Sequence, residues 1–227
     1  MDYLYQFSPF SRSRKDWNPS RVRMDGSREC APAPHDEAVT RIEQIADAAL
    51  RRFARYGFKR SSMDDIAREA GLAKATIYLH FKGKDDVFRA MMARFLAQVA
   101  ARCEAVMAQP LPLPDKLSAL MLAHFGAGYA AFGDGEHLLE LKTVMASIAT
   151  REAQAFEHIF CSHATALLTQ AAASGEVSLG ALKAEQIVET IAHAAIGAKM
   201  GPQPSLETYQ ARLRQIAALA AQAVAKR

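Results

Sequence analysis

The segment SMDDIAREAGLAKATIYLHF, at residues 62–81, is typical of two short helices joined by a tight turn. Ser62 and Asp65 have the spacing of a capping box, which satisfies free N–H groups at the start of a helix. Gly71 follows where the first helix must end, because glycine adopts the left-handed backbone of a helix terminus without steric cost. Ile77 supplies an apolar contact that holds the second helix across the first. The segment therefore predicts a helix-turn-helix.

The second helix of this motif, residues 74–80, is predicted to expose short, polar and cationic side chains. Such side chains on an exposed helix suit the major groove of DNA, where phosphates and base edges are both within reach. We expect most of them to contact phosphates and a few to select bases. The predicted DNA-binding residues are Ser62, Lys74, Ala75, Thr76, Tyr78, His80 and Lys84, with base selection at Ala75, Thr76 and His80.

The flanking sequences make this interpretation more specific. The run IADAALRRFARYGF precedes the motif at residues 45–58, and KGKDDVFRAMMARF follows it at residues 82–95. Over residues 39–92 the chain resembles the N-terminal domain of TetR-family transcriptional regulators. The matching positions are Ile45, Asp47, Ala48, Ala49, Phe53, Gly57, Phe58, Phe81, Lys84 and Asp85; the departures are Ala73 and Gly83, where serine is common, and Leu79, where a polar residue is common.

Composition and charge agree with a DNA-binding protein of substantial core. The chain has 227 residues, of which 50% are hydrophobic. Residues 37–97 carry 12 lysines and arginines against 8 aspartates and glutamates, whereas residues 98–227 carry 10 against 11. Neutralising phosphates needs positive charge at the helix-turn-helix, although a chance fluctuation of a few charges would give the same counts.

The compartment follows from what the sequence lacks. Three scattered cysteines do not form a disulfide framework. No apolar run approaches the length of a membrane helix, and the N-terminal segment lacks the apolar core of a secretory signal. We expect a cytoplasmic protein with no membrane contact.

The chain divides into three parts. Residues 1–36, rich in serine, arginine and proline, are expected to form a disordered tail. This tail is either a basic arm that adds phosphate contacts or an artefact of start-codon choice, with translation beginning at Met24. The helix-turn-helix domain is expected at residues 37–83. A larger domain at residues 84–227 follows, beginning with a linking helix at residues 84–108.

Beyond the linking helix, apolar periodicity predicts only helices. Three alternating prolines end the linking helix. The fold class is therefore all-α, with an N-terminal three-helix domain and a larger C-terminal helical domain that the resemblance assigns to ligand binding and dimerisation. The predicted later helices are residues 114–131, 136–149, 151–173, 183–199 and 205–225, with a turn at residues 133–135.

The last two helices carry apolar stripes and many alanines, which permit close packing. The resemblance implies a four-helix bundle with a second copy of the chain. A homodimer would read the two half-sites of a pseudo-palindromic operator in double-stranded DNA. An intramolecular hairpin would use the same stripes. The predicted interface residues are Ile187, Ile191, Ala195, Leu206, Tyr209, Leu213, Ile216 and Ala220.

Two histidines lie on otherwise apolar, aromatic-rich faces of the middle helices. Simple core packing accounts for each of these residues, but a pocket with a few polar anchors uses the same set. The resemblance implies that a small-molecule effector binds here, and the composition favours an apolar or aromatic one. The predicted pocket residues are Met121, His124, Phe125, Tyr129, Met145, Phe156, Phe160 and His163.

Other sequence patterns that suggest a metal, cofactor or catalytic site lack the structural context that such a site requires. His158, Cys161 and His163 have a spacing that suggests a metal, but three such ligands on one helix cannot meet one ion. The G-x-G-x-x-A match at residues 126–131 lacks the preceding strand of a dinucleotide site. No arrangement of Ser, His, Asp or Cys has a catalytic context. We therefore expect no catalytic site, metal or cofactor.

These observations predict a dimeric DNA-binding transcriptional regulator, a repressor that a small-molecule effector releases from its operator. An alternative function belongs to another class of protein: the chain would be a helical small-molecule-binding protein or enzyme whose helix-turn-helix contacts protein instead of DNA. Only the first of these should bind DNA with an affinity that falls steeply with salt.

Overall fold

The structure, a computed structural model, describes residues 34–132, 137–200 and 202–226. The possible start at Met24 and the predicted turn at residues 133–135 lie outside the described residues. The described elements are α1 (Pro34–Tyr56), α2 (Met63–Ala70), α3 (Lys74–His80), α4 (Lys84–Ala108), α5 (Leu113–Met121), a π-helical turn (Leu122–Gly126), α6 (Ala127–Phe132), α7 (Leu138–Ile148), α8 (Thr150–Ala173), α9 (Ala184–Gly197) and α10 (Leu206–Val224).

The all-helical prediction is confirmed for the described residues, which add only an isolated β-bridge between Val177 and Ala225. The tail expected at residues 1–36 lies outside them except for its last three residues, which begin α1. Proline at the start of a helix explains that difference, because its missing N–H has no intrahelical acceptor to lose there.

The helix-turn-helix forms through the local signals that predict it. Ser62 Oγ accepts a hydrogen bond from the backbone N–H of Asp65 (3.1 Å), and Asp65 Oδ2 accepts one from the backbone N–H of Ser62 (3.0 Å). The predicted capping box is thus confirmed. Gly71 ends α2 with a φ of +66°, the left-handed conformation that its position required. Ile77 of α3 is then fully buried in the core.

Helix α1 joins the helix-turn-helix to α4. The Gln44 side chain donates a hydrogen bond to the carbonyl of Ala70, at the end of α2 (2.7 Å). The Arg94 guanidinium of α4 bonds both carboxylate oxygens of Asp47 (2.7 and 2.9 Å) and reaches Glu43 (2.7 Å). These partly exposed pairs add little stability individually, but their fork geometry fixes how α1 sits on α4.

An aromatic cluster extends this connection into the interior. The rings of Phe53 and Phe58 have centroids 5.2 Å apart, and both contact the Phe88 ring of α4, at 5.8 and 5.5 Å. Such pairs contribute about 0.5–1.5 kcal/mol each beyond the area they bury. Phe88 therefore couples the end of α1 to the long helix that leads into the rest of the chain.

The remaining helices pack around α4. Helix α8 lies against α4, and α10 lies against α5 and α9. Two buried tyrosines fix the last two helices: the Tyr209 hydroxyl donates to the carbonyl of Ala195 (2.9 Å), and the Tyr129 hydroxyl donates to that of Pro204 (2.6 Å). Among the described residues, no helix has both the length and the apolar character needed to cross a bilayer.

One local departure from the predicted helix at residues 114–131 affects the interior. The π-helical turn Leu122–Gly126 interrupts the α-helical register between α5 and α6. His124 and Phe125 lie within this turn and are both buried in the core, with 1% and 7% of their surfaces exposed.

Candidate nucleic-acid interface and ligand cavity

Helix α3 forms an exposed rod at the edge of the helix-turn-helix. Ile77 anchors it, while Tyr78 and Leu79 are 48% and 81% exposed. Lys74 and Ala75 are also exposed, and Thr76 and His80 are half-buried. Leu79 stands where a polar residue is common in the TetR family. Helix α3 therefore presents one large apolar side chain among its polar side chains.

The N-terminal turn of α3 has an unusual electrostatic arrangement. Ala73 offers no side-chain cap, and the first turn contains no acidic residue. The Lys74 ammonium pairs instead with the Asp64 carboxylate of α2 at 2.8 Å, and that hydrogen bond raises the pKa of Lys74. A DNA phosphate would therefore compete with Asp64 for this lysine.

Two of the predicted DNA-binding residues have structural roles in the structure. The Ser62 hydroxyl is engaged in the capping box, where it also donates to Asp65 (2.7 Å). The Lys84 ammonium donates to the carbonyls of Phe58 (2.7 Å) and Ser61 (3.0 Å) in the connection between α1 and α2. Lys84 thereby ties the start of α4 to this connection, a role that the sequence analysis did not foresee. Contact of either residue with DNA stays a prediction.

A cavity of about 120 Å³ opens between α4, α6, α7, α8 and the residues after α9. Its walls are almost entirely aromatic or aliphatic, with two lysines as the exceptions. The lining residues are Phe88, Met92, Phe95, Phe125, Gly128, Tyr129, Phe132, Leu138, Leu141, Lys142, Met145, Phe156 and Lys199.

The structure brings half of the predicted pocket residues to this cavity. Phe125, Tyr129, Met145 and Phe156 line it. The other four are not among its lining residues, and their part in a ligand site stays a prediction: Met121, His124 and Phe160 are buried in the core, and His163 is half-buried with Nδ1 2.8 Å from the carbonyl of Ile159. Phe160 and His163 follow the lining residue Phe156 by four and seven positions, so they share its face of α8 and lie one and two turns beyond the cavity.

Sequence reasoning missed the wall formed by α4. Phe88, Met92 and Phe95 lie at the i, i+4, i+7 spacing of one helix face. That spacing is visible in the sequence, where α4 is expected only to link the two domains. Gly128 permits close packing of α6 on α8, since a Cβ there would lie 3.0 Å from the Phe156 ring.

His124 is an ionisable group in an apolar setting. Its ring stacks on Phe156 with centroids 4.1 Å apart, and Nδ1 has no hydrogen-bond partner. Burial lowers the pKa of His124 to about 3, with the positive charges of Lys199 and His163 adding to the effect. The residue is therefore neutral in the folded protein at neutral pH.

The buried histidine predicts acid sensitivity. Between pH 6.5 and about 3 the unfolded chain binds a proton at His124 that the folded chain does not, so the free energy of unfolding falls as pH decreases through this window. The slope approaches about 1.4 kcal/mol per pH unit. We expect His124→Phe to be less acid-sensitive than wild type, by about 1–2 kcal/mol between pH 7 and 5.

Urea unfolding at fixed protein concentration measures that difference. His158→Phe, at an exposed position of α8, is the matched control and should follow the wild-type pH dependence. Parallel curves for wild type and His124→Phe would contradict the prediction.

The cavity wall touches the helix-turn-helix domain directly. Glu140 of α7 accepts a hydrogen bond from the backbone N–H of Lys59, in the connection between α1 and α2 (2.6 Å). Gly57 permits this approach, because it has a φ of +81° and a Cβ there would collide with the Glu140 carboxylate. Arg89 of α4 also donates to the carbonyl of Ile148, at the end of α7 (2.8 Å).

The predicted interface residues fall into two groups. Ile191, Ala195, Tyr209 and Leu213 are buried within the chain's own core, the packing that the alternative of an intramolecular hairpin describes. Ile187, Ile216 and Ala220 are half-buried and Leu206 is exposed. The two groups differ because α9 and α10 each bury one apolar stripe against the chain's other helices. Their outward surfaces expose other apolar residues, including Ile196 (52%) and Leu219 (66%).

Across residues 34–132, 137–200 and 202–226, His, Cys, Asp and Glu form no group of three or more that could hold an ion. Burial raises the pKa of the Cys103 thiol to about 11, so this cysteine is a protonated core residue.

Residues 45–91, which include the whole helix-turn-helix, match the model of the family described as bacterial regulatory proteins, tetR family. The fatty acid metabolism regulator protein of Bacillus subtilis (strain 168) is 34% identical over 82 residues, which cover 36% of this chain and 42% of that protein. The chain spans about half the length of the curated relatives it matches.

Solved structures extend the likeness to the whole fold. A transcriptional regulator from Cytophaga hutchinsonii ATCC 33406 has a TM-score of 0.65 at 17% identity, covering 82% of this chain and 98% of that one. SmeT, the repressor of a Stenotrophomonas maltophilia multidrug efflux pump, has a TM-score of 0.60 in its triclosan complex, at 18% identity, covering 82% and 92%. The helix-turn-helix region of the chain therefore belongs to the TetR family of bacterial regulatory proteins, and the chain shares the fold of the solved regulators.

Proposed function

We propose that this protein is a homodimeric repressor that binds a pseudo-palindromic operator and is released by a small apolar or aromatic effector. The observation that carries the proposal is the exposed α3, which the capped α2 and the Gly71 turn hold away from the core. Exposed cations flank it, with Lys59 and Arg60 before α2 and Lys82 after α3. This arrangement suits a helix that enters a major groove between phosphates.

The cavity supports an effector role. Aromatic and aliphatic walls favour an apolar body, and the triclosan complex of SmeT is an instance of a ligand on a similar fold. An effector can release DNA only through its different affinity for the two conformations of the protein. The repressor assignment draws on SmeT in the same way.

Two contacts give the cavity a mechanical route to α3. The Phe88 ring lines the cavity and also packs against Phe53 and Phe58 of the helix-turn-helix domain. Leu138 and Leu141 of α7 line it too, and Glu140 between them bonds Lys59. A ligand that moves α4 or α7 would therefore shift the helix-turn-helix domain and change the spacing of the two copies of α3.

Dimerisation is proposed through the outward surfaces of α9 and α10. One helix-turn-helix reads a half-site, and a two-fold dimer reads two. Exposed Ile196 and Leu219 lie among small or polar neighbours that allow a second copy to approach, among them Ala194, Gly197, Ala211, Gln215, Ala218 and Gln222.

Salt dependence tests the DNA-binding assignment. Sequencing genomic fragments retained by the purified protein supplies an operator, and fluorescence anisotropy then gives its affinity between 50 and 200 mM KCl. We expect the logarithm of affinity to fall linearly with the logarithm of salt, with a slope of about −0.9 for each phosphate contact. Absence of both fragment enrichment and a salt slope would support the rival protein-contact role.

A further inference from the structure

The ligand cavity contains two lysines that its apolar walls do not explain. Lys199 follows the end of α9 and is half-buried, and Lys142 is an exposed residue of α7 at the cavity's edge. A lysine seldom lies in an apolar site unless an acidic group pairs with it. The two lysines of this cavity therefore need a chemical explanation.

No carboxylate among the described residues lines this cavity or pairs with either lysine. The Lys199 ammonium lies 5.4 Å from the centroid of the Tyr209 ring, a weak attraction at most. Burial, with a smaller effect from Tyr129, raises the pKa of Tyr209, so this phenol stays neutral. Both tyrosine hydroxyls already donate to backbone carbonyls. The described walls thus supply no negative charge.

This arrangement is electrostatically unfavourable when the cavity is empty. Burial lowers the pKa of Lys199, and the neighbouring positive charge of Lys142 lowers it further. A bound carboxylate would relieve the repulsion and make charge-assisted hydrogen bonds, whereas a bound cation would add to the repulsion. An uncharged polar group would gain only an ordinary hydrogen bond.

We infer that the effector is an anionic amphiphile, an apolar body with a carboxylate that lies between Lys199 and Lys142. The inference rests on the proposed function in taking the cavity as the effector site. The apolar body lies among the phenylalanines, and the two ammonium groups select the head group. This narrows the expected effector from any apolar or aromatic molecule to a weak acid.

A head-group series tests the selection. Straight-chain carboxylates, alcohols and amines of six to twelve carbons present the same body with a negative, neutral or positive head at pH 7.5. Isothermal titration of the full chain should give at least about tenfold tighter binding of the carboxylate than of the alcohol of equal length, and weaker binding of the amine. Equal affinities for the three heads, or no binding of any carboxylate, would overturn the inference.

Variants locate the head group. Lys199→Met keeps an apolar stem and removes the charge, so carboxylate affinity should fall about tenfold with alcohol affinity unchanged. Lys142→Met, at the exposed edge of the cavity, should give a smaller loss of carboxylate affinity. It is the variant to measure if Lys199→Met folds poorly. Arg102→Met removes an exposed cation of α4 outside the cavity and should change neither affinity. Equal losses for carboxylate and alcohol in Lys199→Met would assign it a packing role and contradict the inference.

Operator binding without ligand is measured on the same samples. A protein that binds its operator but shows no head-group preference refutes the anionic effector alone. A protein that selects carboxylates but binds no DNA refutes the proposed function alone.

Discussion

We expect Ala75→Glu to weaken operator binding at least about 100-fold, about 2.7 kcal/mol, without unfolding the protein. Ala75 is exposed in the first turn of α3, which contains no acidic residue. A carboxylate there is favoured by the partial positive charge of the helix N-terminus, so the helix should form as before. On DNA, the same carboxylate would face phosphates and repel them. Fluorescence anisotropy at fixed salt gives the affinity, and thermal melting gives the stability.

Ala101→Glu is the matched control for this variant. Ala101 is exposed in the C-terminal half of α4, where the same substitution adds the same charge 21 residues beyond the end of α3. Its operator affinity should stay within about threefold of wild type, since a single distant surface charge is largely screened at physiological salt. If both variants bind alike, α3 is not the surface that meets DNA.

The helix-turn-helix could be predicted closely because its signals are local. Ser62 and Asp65 encode the start of α2, and Gly71 encodes its end, within a span of ten residues. Each signal acts through the backbone of its own turn and needs no knowledge of distant packing. The bounds of α8, predicted at residues 151–173 and found at Thr150–Ala173, follow likewise from apolar periodicity between helix breakers.

The cavity could be predicted only in part, because it depends on the phase of several helices at once. The aromatic content of residues 121–163 indicates a pocket in that region, but periodicity along each helix does not show which of these residues face it. His124 packs against the Phe156 ring in the core instead. Lys199 reaches the cavity only through the packing of α9 on α8 and α10. No sequence pattern near Lys199 predicts that contact.

The proposed dimer surface illustrates a different limit. The strongest apolar stripes of α9 and α10 fit either a second copy or the chain's own core equally well, and periodicity cannot choose between them. In the structure, Tyr209 and Leu213 are fully buried within the chain. The outward stripe, with Ile196 and Leu219 among alanines, is the weaker of the two, so periodicity alone does not point to it.

We expect Leu219→Glu to convert the dimer to a monomer and to lower operator affinity on the order of 100-fold or more. Leu219 is 66% exposed in the single chain, and glutamate is a good helix former, so the monomer should fold normally. In a two-fold interface the same substitution appears twice, placing two carboxylates in an apolar contact. The two half-sites would then be bound by separate chains, without the effective concentration that a dimer provides.

Sedimentation velocity and anisotropy on one sample distinguish the two effects. Leu139→Glu is the control, because Leu139 is an equally large exposed leucine on α7, away from α9 and α10 in the chain. It should leave both assembly and operator affinity unchanged. Should Leu219→Glu stay dimeric while its DNA affinity falls, the copies meet through another surface and Leu219 acts by some route other than assembly. A monomer that retains wild-type affinity would instead mean that one α3 suffices for binding, which removes the reason for proposing a two-fold arrangement.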